Sequence, residues 1–150
     1  MNSPSGIVID ASVAVKWHLR DEQLVEEAGL LLRGFLGLRV RLAAPSFIRY
    51  EIANSLEQAR RRGRISGVEA VEELRAFLRF GVHAEQDGEA LLVAALRIAS
   101  RTGASVYDAM YVALSEGLGY DLITNDRALI DQTAAYPIAV HHLAEAPSFL

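Results

Sequence analysis

The chain of 150 residues contains no cysteine. It therefore forms no disulfide bond and no thiolate metal site, and we expect it to fold in a reducing cytoplasm. The N-terminus lacks the charged segment and the long apolar run of a signal peptide. Other apolar runs, such as ALLVAAL, end at Arg97, well short of the roughly 20 residues that a membrane-spanning helix needs. We expect a soluble, cytoplasmic protein that does not enter a membrane.

Positive charge is also scarce: 15 Lys and Arg residues face 19 Asp and Glu residues, and the formal net charge is −4. This argues against non-specific binding of nucleic acid through bulk charge. It does not exclude a polyanionic substrate, because metal cations held by carboxylates reverse the local sign of the charge. With 51% hydrophobic and 23% charged residues, the composition is that of a globular protein. The length predicts a single domain, residues 1–150.

Strand-like and helix-like segments alternate along the chain. Short apolar runs predict strands at residues 7–9, 41–44, 82–85, 121–124 and 139–142. Apolar residues at helical spacing predict helices over residues 22–36, 47–62, 66–80, 87–101, 105–116 and 127–133. The alternation predicts an α/β fold of three layers, with a parallel sheet of about five strands and helices on both faces. In such sheets, ligands bind beyond the carboxyl ends of the strands.

Two aspartates directly follow predicted strands. Asp10 ends the run IVID, and Asp126 follows LITN. Each also precedes a predicted helical segment, so each is a candidate N-cap whose carboxylate accepts from the first turn. The alternative is a shared site, because both residues would face the same crevice at the carboxyl edge of the sheet. For either residue alone, the sequence leaves both interpretations open.

Two further carboxylates lie on predicted helices, close to the apolar face. Glu51 lies on the same side of its helix as Ile48 and Ile52. An unpaired buried charge is costly, so Glu51 needs either an internal salt bridge or a bound cation. Asp108 follows Ser105 at the spacing of a capping box, which offers a purely structural explanation.

Taken together, the four carboxylates predict a metal site at one edge of the sheet. Like charges gathered in a cleft raise one another's pKa unless a cation holds them. Hard oxygen ligands select Mg²⁺ or Mn²⁺ rather than zinc. His141 and His142 are neighbours on a predicted strand and point to opposite faces, so we do not expect them to share a metal ion.

Four segments follow one another over nearly the whole chain: IVIDASVAVKW, APSFIRYEIANSL, SVYDAMYVALSEG and LITNDRAL. In this order they resemble the PIN domain family, in particular the VapC-type toxins of toxin–antitoxin pairs. The resemblance implies a PIN-like fold and metal-dependent endonucleolytic hydrolysis of RNA phosphodiester bonds. It also implies a homodimer that is silenced by a small VapB-like antitoxin covering or entering the acidic cleft.

The resemblance also implies roles for individual residues. The family's four catalytic acids correspond to Asp10, Glu51, Asp108 and Asp126, and its small hydroxyl positions correspond to Ser12 and Thr124. The three aspartates would bind Mg²⁺ or Mn²⁺ directly. Glu51 would reach the metal through water or orient the attacking water. Ser12 and Thr124 would hold a carboxylate or a metal-bound water.

Several basic residues are candidate RNA contacts. The segment ARRRGR contains Arg61, Arg62 and Arg64, which would bind phosphate groups. Cations at a helix C-terminus before a capping glycine also complement the helix dipole, which is the structural explanation of the same segment. Lys16 and Arg127 lie nearer to the predicted site in sequence and are better placed for phosphate contact.

Three alternatives to a nuclease are open to test. A receiver-like signalling domain needs an acidic pair after the first strand and a Lys after the fifth, whereas this chain has a lone Asp10 and the run AVHHL. A haloacid-dehalogenase-type phosphatase needs Asp-x-Asp where this chain has Asp-Ala-Ser. A PIN-fold module that binds RNA or protein without cutting it is the third alternative, which four retained carboxylates disfavour.

Overall fold

A computed structural model describes residues 3–86 and 88–150 of the chain. Within these residues the sheet consists of strands β1 (Ser5–Ile9), β2 (Val40–Pro45), β3 (His83–Glu85), β4 (Asp121–Thr124) and β5 (Val140–His142). Every neighbouring pair is parallel, and the strand order is β3-β2-β1-β4-β5. The expected α/β fold with a parallel sheet of five strands is thus confirmed.

Helices connect these strands and cover both faces of the sheet. They are α1 (Ala11–Ala14), α2 (Val25–Leu36), α3 (Ile48–Arg61), α4 (Gly67–Phe80), α5 (Glu89–Thr102), α6 (Val106–Leu118) and α7 (Arg127–Thr133). The central strand β1 shows the double cover directly. Ile7 and Ile9 point to one face of the sheet and Val8 to the other, and all three are fully buried. Burial on both faces explains why β1 is a continuous apolar run.

The ends of α4 show how local sequence sets the helix boundaries. Ser66 Oγ accepts a hydrogen bond from the Glu69 N–H, and the Glu69 carboxylate accepts one from the Ser66 N–H. This capping box satisfies two donors of the first turn. At the other end Gly81 has φ 71°, a left-handed conformation that glycine adopts without steric cost. The helix predicted over residues 66–80 is confirmed, with these two ends.

Some boundaries differ from the predictions. The helix expected from residue 22 begins at Val25, because Leu24 has a left-handed backbone conformation with φ 58°. The helix expected from residue 87 begins at Glu89, and residue 87 itself lies outside the described residues. After β5 the chain forms a 3₁₀ helix, Leu143–Phe149, that is not among the predicted elements. In the described part of the chain, no helix combines the length and the apolar character that crossing a membrane requires.

The strand order places a crevice between the carboxyl ends of β1 and β4. From β1 the chain continues to β2 on one side, whereas from β4 it continues to β5 on the other side. This reversal is the point at which open parallel sheets bind ligands. The order also excludes the receiver-like alternative, because that fold has the order 2-1-3-4-5.

Candidate active site

Asp10 lies where β1 ends, at the floor of this crevice. Its side chain is buried, with 6% of its surface exposed. Although Asp10 occupies the N-cap position of α1, its carboxylate makes no capping hydrogen bond. Instead it accepts hydrogen bonds from Ser12 Oγ at 2.5 Å and from Thr124 Oγ1 at 2.5 Å. The N-cap explanation of Asp10 is therefore not the one that the structure supports.

The environment of Asp10 opposes its negative charge. Burial raises the pKa of Asp10 from 3.8 to about 6. The hydroxyl groups of Ser12 and Thr124 act in the opposite direction, and the charge of Asp108 adds to the increase. The N–H of Val13 also favours the charged form, without forming a capping hydrogen bond. A cation bound next to such a buried carboxylate would stabilise its charged form.

Glu51 extends from the first turn of α3 and is half-buried. Its Oε1 accepts a hydrogen bond from the hydroxyl of Tyr111 on α6. Within the described residues it forms no ion pair, so the internal salt bridge considered for it is absent. Burial raises the pKa of Glu51; the Tyr111 hydrogen bond lowers it, and the charges of Asp10 and Asp108 raise it further.

Asp108 lies in the first turn of α6 and is tethered by Ser105. The Ser105 hydroxyl accepts a hydrogen bond from the Asp108 N–H at 3.0 Å and donates one to Asp108 Oδ2 at 2.9 Å. The capping box is thus only half formed, since the carboxylate bonds to the hydroxyl and not to the backbone N–H of Ser105. The charge of Asp108 acts on both Asp10 and Glu51, so these three carboxylates form one electrostatic group.

Asp126 has the capping role that was open for it. Its Oδ1 accepts hydrogen bonds from the N–H groups of Ala128 at 2.9 Å and Leu129 at 3.3 Å, at the start of α7. The Asp126 N–H donates to Thr124 Oγ1 at 3.0 Å, the same hydroxyl that donates to Asp10. Thr124 therefore joins Asp126 to the group of the other three carboxylates, while Asp126 Oδ2 is left outside the cap.

Ser12 and Thr124 tie the ends of β1 and β4 together around Asp10. Ser12 Oγ lies 3.4 Å from Thr124 Oγ1 and accepts a hydrogen bond from the Asn125 N–H at 2.9 Å. Both hydroxyls thus hold the Asp10 carboxylate and at the same time fix the backbone after β4. Tyr111 and Asn125 are site residues that were not predicted from the sequence. Their position, three residues after Asp108 and one before Asp126, is the signal that would have drawn attention to them.

The donor chemistry fits a hard divalent cation. All candidate ligands are carboxylate oxygens, and two of the carboxyl groups have raised pKa values because they are buried and negative charge is concentrated there. Among the residues that the structure describes, no three Asp, Glu or His side chains are already close enough to enclose a metal ion. Coordination would therefore require side-chain movement toward the ion. Glu51 and Asp108 lie in the first turns of α3 and α6, and Asp126 lies directly before α7.

The candidate RNA contacts fall into three groups. Lys16 is 3% exposed and its Nζ lies 3.8 Å from Glu22, and Arg64 pairs with Asp21 and Glu22. These two cations are thus largely neutralised by nearby acids. Arg61 pairs with Glu57 at 2.8 Å but its side chain is 71% exposed. Arg62 and Arg127 are exposed and form no ion pair within the described residues.

Comparison with known proteins agrees with this arrangement. Residues 7–135 match the PIN domain family. The chain is 33% identical over 133 residues to the protein named Ribonuclease VapC3 of Pyrobaculum aerophilum, covering 86% of this chain and 95% of that protein. The solved structure of PAE2754 from the same organism superimposes with a TM-score of 0.68 at 21% identity, covering 97% of this chain and 98% of that one. That of VapBC2 from Rickettsia felis, bound to a DNA fragment from its promoter, has a TM-score of 0.65 at 11% identity and covers 91% and 98%. At these identities the two structures show the fold, and the chain belongs to the PIN domain family and, within it, to the VapC ribonucleases.

Proposed function

We propose that this chain is an endoribonuclease that depends on Mg²⁺ or Mn²⁺ and hydrolyses RNA phosphodiester bonds at the crevice between β1 and β4. The observation that carries the proposal is the electrostatic group of Asp10, Glu51 and Asp108, three carboxylates that come from separate elements and have no cationic partner within the described residues. A purely structural role does not explain such a concentration of negative charge, which costs stability. A relative with 33% identity is named a ribonuclease, which supports RNA as the substrate.

The carboxylates have distinct roles in this proposal. Asp10, Asp108 and Asp126 would hold the cation, and Ser12 and Thr124 fix the Asp10 carboxylate in position. The bound cation would stabilise the negative charge that develops on the phosphoryl oxygens and on the leaving oxygen. Its affinity would depend on deprotonation of Asp10, since only the carboxylate form is a ligand.

Glu51 is proposed as the group that orients and deprotonates the attacking water. Its Oε1 is occupied by the Tyr111 hydroxyl, which leaves Oε2 to accept the proton. The raised pKa of Glu51 makes it a stronger base than an exposed carboxylate. The water oxygen bonds to phosphorus as the bond from phosphorus to the 3′-oxygen breaks, and the 3′-oxygen takes up a proton from solvent. The products are a 5′-phosphate and a 3′-hydroxyl.

The biological setting that we propose is a toxin–antitoxin pair. The structural neighbour from Rickettsia felis is named VapBC2, which supports a VapB-like antitoxin as the partner of this chain. We expect a homodimer, as in similar toxins, and localisation in the cytoplasm. Among the candidate RNA contacts, Arg62 and Arg127 are exposed and have no acidic partner within the described residues, so they are the first to test as phosphate contacts.

Cleavage of labelled single-stranded RNA by the purified protein tests the proposal. Reactions contain Mg²⁺, Mn²⁺ or EDTA, and the wild type is compared with Asp10→Asn and with Asp131→Asn, a matched change of an exposed carboxylate on α7. We expect cleavage that EDTA and Asp10→Asn abolish and that Asp131→Asn retains. Activity that survives both EDTA and Asp10→Asn would contradict the metal site. No cleavage of several RNAs with either metal would favour the module that binds without cutting.

A further inference from the structure

An open cavity of about 510 Å³ adjoins the candidate active site on the side of Asp126. Its polar lining comes from three parts of the chain: the segment before α2 supplies Gln23, the turn from β4 into α7 supplies Asn125, Asp126 and Arg127, and the end of β5 supplies His142. The volume lies within the roughly 300–1,000 Å³ of small-molecule sites. Because Asp126 belongs to both places, a molecule that reaches the acids can extend into this cavity.

The side chains that line the cavity have free hydrogen-bonding capacity. The amides of Gln23 and Asn125 make no side-chain hydrogen bond within the described residues, and the guanidinium of Arg127 has no acidic partner there. His142 Nδ1 accepts a hydrogen bond from the Ala144 N–H at 3.2 Å. The proton of a neutral His142 ring must therefore be on Nε2, which makes that nitrogen a donor.

These groups match the chemistry of a single nucleotide. An amide side chain offers one acceptor and one donor group, which is the pattern of a base edge, and unpaired RNA bases expose such edges. A guanidinium forms paired hydrogen bonds with a phosphate group. A purely anionic lining would repel the phosphate group, whereas this cavity has amides, an imidazole and a cation together.

We propose that this cavity binds one nucleotide of single-stranded RNA next to the bond that is cut, and that it selects the base at that position. Gln23 and Asn125 form hydrogen bonds to the base edge, and Arg127 binds the phosphate. The inference rests on the proposed ribonuclease function for its substrate class. It adds a determinant of sequence preference at a defined place beside the acids.

Binding of nucleotides without cleavage tests this proposal separately from the activity. The protein, in EDTA, is titrated with each of the four nucleoside 5′-monophosphates and with inorganic phosphate, and NMR follows the side-chain amide signals of Gln23 and Asn125. We expect one base to bind at least about 10-fold more tightly than another, which is the discrimination that a good pair of base contacts supplies. Gln23→Ala should reduce this ratio to about one. Gln58→Ala, an exposed amide on α3 away from the cavity, should leave it unchanged.

Several results would overturn the proposal. Equal affinity for all four nucleotides, or for phosphate alone, would remove base selection, and an unchanged ratio in Gln23→Ala would remove Gln23 as its source. No shift with any nucleotide would favour a protein segment as the occupant. Gln23 is exposed, so loss of folding is not expected from its replacement, and the NMR spectrum itself reports folding. Base-selective binding without RNA cleavage would support the nucleotide site and contradict the ribonuclease function. RNA cleavage without base-selective binding would support the ribonuclease function and contradict the nucleotide site.

Discussion

Replacing Asp10 by Asn should stabilise the metal-free protein, and increasingly so as the pH rises. The folded-state pKa of Asp10 is about 6, compared with 3.8 for an ordinary aspartate. Between these values the folded protein binds more protons than the unfolded chain, so its free energy of unfolding falls as the pH rises. Well below pH 3.8 the carboxyl group is protonated in both states and does not lower the free energy of unfolding. Well above pH 6 the free energy of unfolding is lowered by the full amount.

The size of this effect follows from the shift in pKa. An increase from 3.8 to about 6 corresponds to about 3 kcal/mol, at about 1.4 kcal/mol per pKa unit. Roughly two-thirds of it develops between about pH 4.5 and 7.5, the range in which the measurement is practical. The amide introduced by Asp10→Asn cannot ionise, so the variant lacks this dependence. Titrating groups that do not interact with Asp10 cancel in the difference. Glu51 does not, because the charge of Asp10 raises its pKa, and removing that charge adds to the effect in the same direction.

Urea denaturation in EDTA at several pH values measures the difference in free energy of unfolding between Asp10→Asn and wild type. It should grow by about 2 kcal/mol from about pH 4.5 to 7.5. Asp131→Asn, which changes an exposed carboxylate on α7, serves as the matched control and should give a difference that changes little with pH. A difference for Asp10→Asn that is independent of pH would refute the argument that burial opposes the charge of Asp10.

Two other substitutions test the support of the site and of the sheet. Thr124→Val removes the buried hydroxyl that donates to Asp10 and accepts from the Asp126 N–H. We expect this change to lower the free energy of unfolding by about 1–3 kcal/mol in urea denaturation. An unchanged stability would show that the hydroxyl bridge is dispensable. Gly6→Ala places a Cβ atom 2.1 Å from Cε1 of Tyr120, so the ring must move, and we expect a loss of about 1–3 kcal/mol in the same assay. In a Tyr120→Ala background Gly6→Ala should cost much less, and an equal cost there would rule out the ring as the cause.

The sequence predicted the sheet well because its signals were local. Continuous apolar runs marked strands that are buried on both faces, as in Ile7 to Ile9, and glycines such as Gly81 marked helix ends. The predicted start of α2 was wrong because Leu24 adopts a left-handed backbone conformation that the local sequence does not indicate. The 3₁₀ helix after β5 was missed because its place is set by packing against α2, which is a contact between distant parts of the chain.

At the site, the sequence identified which residues meet but not how they are used. Asp10 and Asp126 occupy the same kind of position after a strand, yet only Asp126 caps its helix. The difference arises because Thr124 and Ser12 hold the Asp10 carboxylate, and the Thr124 contact crosses from β4 to β1. The hydrogen-bond partner of Glu51 could not be predicted either. Tyr111 is 60 residues away in the sequence, and its position on an apolar helix face is typical of a core aromatic residue.

Mn²⁺ binding, measured by electron paramagnetic resonance at neutral pH, is the direct test of a metal site formed by these carboxylates. We expect the wild-type protein to bind Mn²⁺ and Mg²⁺ to compete with it, and we expect Asp10→Asn to lose this binding while Asp131→Asn keeps it. Because the carboxylates must be deprotonated to act as ligands, the affinity should also fall as the pH is lowered through about 6. A wild-type protein that binds no Mn²⁺, or an Asp10→Asn variant that binds it equally well, would contradict a metal site built on these carboxylates.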